Sequence, residues 1–163
     1  MVAAALASVY AESIPNVELM TLVVFLSGVL LGARWGALVG AVCMLAYSVL
    51  NPYGPAHPVI TLSQMAGEMA PGPAGAALAL AGIQDRPVMA RMLALAVTGA
   101  LLTAYFDLIT NVATGLLFGQ IRATLIGGLP FALLHLGSNV ALFALLGTPL
   151  IAVFARYRAR LSS

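Results

Sequence analysis

Apolar runs separated by short polar interruptions fill this chain from end to end. The first, Val2 to about Ala11, is cut off by the segment Glu12 to Asn16, which contains a proline. The second extends from about Val17 to Gly32, the third from Trp35 to Leu50, and the fourth from about Val59 to Gly82. The fifth and sixth, Val88 to Phe118 and Leu125 to Ala155, meet at a predicted turn around Gln120 to Thr124. A helix crosses the hydrocarbon core of a bilayer with about 20 apolar residues, so the later runs have the length of spans and the first falls short by several residues. Either that helix is stunted or it starts upstream. Asn51-Pro52-Tyr53-Gly54-Pro55 is predicted to be a turn, because two prolines and a glycine cannot continue a helix without losing backbone hydrogen bonds. Pro71-Gly72-Pro73 is predicted to break the fourth run. The pattern predicts an all-α polytopic membrane protein: a single domain over residues 1–163, built as a bundle of six transmembrane helices with the first one short.

Composition narrows the function classes. Hydrophobic residues make up 62% of the sequence and charged residues 7%, with no lysine, which excludes a water-soluble globule with a charged exterior. Six crossings leave no room for a soluble catalytic or nucleotide-binding domain, so any ATP used must be bound by another polypeptide. The single cysteine, Cys43, lies inside an apolar run, which rules out an intramolecular disulfide. The N-terminus lacks a basic region, which argues against a cleaved signal peptide. Counting loops alternately, Arg34, Arg86, Arg91, Arg156, Arg158 and Arg160 fall on one side and Arg122 alone on the other. Arginine-rich loops stay cytoplasmic, so the chain is expected in the cell membrane as a multi-pass protein with both termini inside. The arginines are dispersed over several loops, which speaks against nucleic acid as a partner.

Small residues recur at helical spacing. Ala3, Ala7 and Ala11 are four apart, as are Gly28 and Gly32, and Gly36 and Gly40, so each set forms a smooth ridge that lets another backbone approach closely. The glycines predict packing between the second and third helices. By spacing alone the alanines read as ordinary packing too.

An ionisable side chain within hydrocarbon is costly unless it faces protein or water, so Glu68, Asp107 and His135 require partners or a cavity. Asp107 and Asn111 share one face of the fifth helix, and His135 and Asn139 share one face of the sixth. With the intervening turn near Ile121 and Arg122, Asp107 and His135 fall at matching depths, where a carboxylate and an imidazole can pair. Two readings stay open: a structural tie between helices, or a ligand pocket open to the outside. Other polar residues collect on the face away from the arginines. Asn16 and Glu18 begin the second helix, Asn51, Tyr53 and His57 sit in the loop after the third, and Gln64 begins the fourth. Singly, Asn16 reads as a helix cap and Asn51 as a turn start; together they predict a binding site for a small polar solute. No catalytic residue, metal ligand set or cofactor is expected. The chain lacks His-Glu-x-x-His and Gly-x-Ser-x-Gly, and Asp107 has no second carboxylate at helical spacing. A self-contained ion- or proton-coupled transporter is the alternative, weakened by the absence of a visible inverted repeat, and an intramembrane enzyme is a weaker one.

The string Ile14-Pro15-Asn16-Val17-Glu18, with the following span from Gly28-Val29-Leu30-Leu31-Gly32-Ala33-Arg34-Trp35-Gly36 to Gly40, resembles the second and third helices of S components of energy-coupling factor vitamin transporters. Asn51 to Pro55, Phe106 to Asn111 and His135 to Asn139 resemble the same group, and the likeness extends over nearly the whole chain. The resemblance implies a six-helix protein that captures a vitamin or related micronutrient at the outer face. It also implies association with a transmembrane T component and two cytoplasmic ATPase subunits that drive uptake. In that family an Ala-x-x-x-Ala ridge on the first helix contacts the T component, and Ala3, Ala7 and Ala11 match its spacing. The resemblance leaves the substrate open among chemically different vitamins, cobalamin, pantothenate and a pyrimidine precursor among them.

Overall fold

The computed structural model describes residues 1–10, 17–51 and 54–161. It is built of α-helices, with no strand among the described residues. The order is α1 Val2–Tyr10, α2 Met20–Leu31, α3 Ala33–Val49, α4 Pro58–Met69, α5 Pro71–Leu80, α6 Val88–Leu117, α7 Ile121–Leu142 and α8 Thr148–Leu161. A 3-10 turn at Ile83–Asp85 precedes α6, and a π-turn at Phe143–Gly147 joins α7 to α8. Two helical stretches, Val88–Leu117 and Ile121–Arg160, are long and apolar enough to cross a membrane.

Several helix ends differ from the sequence expectation. The second helix begins at Met20 and not near Val17, because the Glu18 carboxylate takes the backbone N–H of Met20 and so fixes the chain just ahead of the first turn. The interruption between the second and third helices shrinks to Gly32, whose φ of 88° lies in the left-handed region open to glycine, and Arg34 falls inside the first turn of α3. Pro71-Gly72-Pro73 does not unwind the chain. Proline suits the first helical position, where its missing N–H has no intrahelical acceptor, so α5 starts at Pro71 and only Ala70 separates it from α4. The turn between the long helices covers Phe118–Gln120, with Gly119 at φ 67°, and helix has resumed by Ile121.

Helix α2 forms the centre. Nine of its 12 residues are buried, on two sides, as fits a helix apolar all round. One side contributes Leu22, Phe25, Leu26 and Val29 to a cluster with Leu95 of α6, Phe143 and Ile151. The other brings Met20 and Val24 against Ala5 and Val9 of α1 and Cys43 and Met44 of α3. The helices around it meet through glycines. A Cβ on Gly28 would stand 1.8 Å from the carbonyl oxygen of Gly72, one on Gly36 2.6 Å from the Cα of Gly28, and one on Gly40 1.9 Å from the carbonyl oxygen of Glu68. The close packing of α2 on α3 expected of these glycines is present at Gly28 and Gly36, and it extends to α4 and α5 through Gly40 and Gly72; Gly32, expected to share the ridge with Gly28, instead ends α2 with nothing within 4 Å of an added Cβ. On α6 the outward residues Leu93, Val97, Leu101 and Leu108 are exposed, as are Ile126, Leu129 and Leu133 on α7.

Candidate functional site

The segment entering α2 places a carboxylate against the first turn of α2 and against α7. One oxygen of Glu18 accepts the Met20 N–H at the helix start, where the positive end of the helix favours an anion. Its Oε1 lies 3.4 Å from the Thr21 hydroxyl, which also stands 3.5 Å from Oε2 of Glu68 on α4. Thr21 thus sits between two carboxylates. Glu68 is 2% exposed, and its Oε1 has no hydrogen-bond partner among the described residues. It reaches this depth because Gly40 lets the α4 backbone rest directly on α3 at Glu68.

On the facing side, α6 and α7 run antiparallel and bring Asp107 opposite His135. The imidazole Nδ1 is 2.9 Å from Asp107 Oδ1. A carboxylate only accepts, so Nδ1 carries the proton and donates it. Nε2 then points toward Glu18, 3.8 Å from Oε1, and the ring stands edge-to-face with Phe106 at 5.9 Å. Asp107, His135 and Glu18 with Thr21 and Glu68 form a continuous polar chain across α6, α7, α2 and α4.

This chain forms part of the wall of a cavity of about 160 Å³. Glu18, Thr21, Glu68 and His135 line it, and Gln64 of α4 joins them, its Oε1 accepting from Ser48 Oγ of α3 at 2.9 Å. The remaining wall is Val9, Met20, Met44, Tyr47 and Phe106. Six segments of the chain converge on one space whose wall is half polar and half apolar, more polar than the mainly apolar wall usual for a small-molecule site, with its polar groups converging on the same space.

Of the residues singled out from sequence, Glu18, Gln64 and His135 line this cavity, and Asp107 adjoins it through His135. Asn111 does not: its side chain donates to the Asp107 carbonyl at 2.8 Å and lies in a separate, mainly apolar cleft between α6 and α7. Asn139 is fully buried one turn beyond His135 and is not part of the wall. Asn51 follows the end of α3, its carbonyl accepting from Gly54 N, outside the cavity wall. His57 caps α4, Nδ1 accepting the Val59 N–H. Asn16 and Tyr53 lie outside the described residues, as does Ala11, while Ala3 and Ala7 are exposed on α1. Sequence reasoning missed Tyr47, Met44, Met20 and Thr21 as wall residues, and it marked Glu68 as needing a partner without placing it in the site. The signal for Tyr47 was its position one residue before Ser48, on the helix that faces Gln64.

No known protein family, curated protein or solved structure matches the chain.

Proposed function

We propose that this chain is the solute-capturing S component of an energy-coupling factor importer. In this reading it binds a vitamin or related micronutrient at the outer face of the cell membrane and works with a T component and two cytoplasmic ATPase subunits. The observation that carries the reading is the cavity with Glu18, Gln64, Glu68 and His135 in its wall, inside a chain whose long helices turn leucines and valines outward. Such a surface suits lipid, since soluble monomers rarely expose apolar patches beyond a few hundred Å². The six-helix membrane arrangement follows if α4 and α5 together make one broken crossing and α7 with α8 another. Helix α1, with nine residues and a length of about 14 Å, is then the short first member. The exposed face of Ala3 and Ala7 supports the docking role given to that ridge, because α1 turns Ala5 and Val9 inward and leaves the small residues free for a partner helix.

A self-contained proton-coupled transporter is the second reading, and the polar chain from Asp107 to Glu68 is the observation that favours it. One experiment separates the two. Ala7→Leu adds bulk on the outer face of α1, away from the cavity, so the capture reading expects loss of co-purification with the ATPase module and loss of uptake in cells. Solute affinity of the isolated protein should stay near the parent value. Uptake by the chain alone in proteoliposomes would establish the second reading instead.

A further inference from the structure

The wall of the cavity is unbalanced in charge and in hydrogen-bonding capacity. Among the described residues two carboxyl side chains, Glu18 and Glu68, face it, and no arginine does. The one cation-forming group is His135, and its Nδ1 proton is already committed to a third carboxylate, Asp107. Glu68 is almost wholly buried and one of its oxygens has no donor among the described residues, a cost that an N–H supplied in the cavity would relieve. The wall also contains Met44, Tyr47 and Phe106, soft and aromatic surfaces that accommodate a flat apolar body and favour a cation over their faces. Size sets the scale. The volume of about 160 Å³ is close to the roughly 150 Å³ engineered cavity that takes up benzene. A single ring fits; a macrocycle does not, and an anionic solute would meet two carboxylates. Among the described residues no three His, Cys, Asp or Glu side chains converge as a metal ion requires.

We propose that the solute is a small organic cation, a protonated amine or amidine on one flat ring, held with its N–H groups on Glu68 and Glu18 and its ring against Tyr47 and Phe106. This rests on the capture reading of the same cavity and narrows its substrate class.

The test uses the full chain, purified in detergent without ATPases, and three probes of nearly equal shape: benzamidinium, benzamide and benzoate. Calorimetric titration should show benzamidinium binding at least about tenfold more tightly than benzamide, with benzoate weaker still, since a charge-assisted hydrogen bond exceeds a neutral one by that order. Glu68→Gln keeps the side-chain shape and removes the oxygen that can take up a negative charge opposite the cation. It should cost benzamidinium about tenfold or more and leave benzamide within about twofold. Should that variant fail to fold, Glu18→Gln is held to the same expectation. Equal or tighter binding of benzamide or benzoate overturns the proposal, as does the absence of binding by all three at millimolar concentration, or an unchanged benzamidinium affinity in the folded variant. The two readings fail separately. Co-purification with an ATPase module together with a preference for benzoate keeps capture and removes the cation, whereas a benzamidinium preference in a chain with no energising partner keeps the cation and removes capture.

Discussion

At the scale of single residues, the contact between Asp107 and His135 governs how the acidic side of the cavity is presented. The carboxylate holds the imidazole by Nδ1, and this fixes which nitrogen faces Glu18. Asp107→Ala leaves a buried ring N–H without an acceptor and should lower stability by about 1 to 3 kcal/mol. In a double-mutant cycle with His135→Ala, followed by thermal denaturation, the two changes should couple by at least about 0.5 kcal/mol. Additive losses would show that the contact contributes nothing of its own. This pair was legible in the sequence because a short turn between two long helices fixes their antiparallel register, so residues equidistant from the turn meet. Asn111 and Asn139 obey the same spacing yet lie outside the cavity, because helical periodicity assigns a face and not a position along it. The approach of Glu18 and Glu68 through Thr21 depends on packing between residues 50 apart in the chain, and no local pattern encodes that.

At the scale of helices, glycine decides which elements touch. Gly40 brings the α4 backbone onto α3 at the very residue that carries a cavity carboxylate. Gly40→Ala must push the two helices apart, because its Cβ would stand 1.9 Å from the Glu68 carbonyl oxygen. Overpacking of this kind costs about 1 to 3 kcal/mol, and the shift would move Glu68, so both the melting temperature and solute affinity should fall. Gly127 and Gly137 on α7 provide the control, with nothing within 4 Å of an added Cβ. Alanine there should be neutral or stabilising by up to about 1 kcal/mol through helix propensity. Equal losses at Gly40 and Gly127 in detergent melts would refute this view of the packing. The sequence displayed the glycine ridges plainly but gave only α2 and α3 as the partners, since Gly72 and Gly75 stood in what looked like a proline-broken segment.

For the molecule as a whole, the placing of charge predicts orientation. Six of the seven arginines fall on one side of the alternating loops, so the segment between α3 and α4 should face outward. A cysteine at Ala56 in a Cys43→Ala background is expected to react with an impermeant maleimide on intact cells; labelling only after lysis would reverse the orientation. The all-helical character and the order of the apolar runs were legible from hydropathy, because apolar runs of this length admit few other structures, but the number of helices was not: the fourth run forms α4 and α5, and the sixth forms α7 and α8. The turns were legible to within a few residues. The centrality of α2 was not, since a helix apolar on every side carries no mark of which faces it buries. One further property belongs to the chain's total length. The π-turn at Phe143–Gly147 holds one residue more than an α-helix of the same span requires, and the Thr148 hydroxyl donates to the Ala144 carbonyl there at 2.5 Å. Phe143, at the start of the turn, and Ile151, in α8, nonetheless pack into one cluster. The molecule therefore has a spare residue at this point. Deleting the exposed Leu145 should convert the turn to regular α-helix and yield a folded protein, while deleting the equally exposed Leu133 should rotate everything after it by about 100° per residue and abolish folding. A 40-residue helix that tolerates shortening at the π-turn and not at Leu133 would have its packing phase set separately on the two sides of that turn.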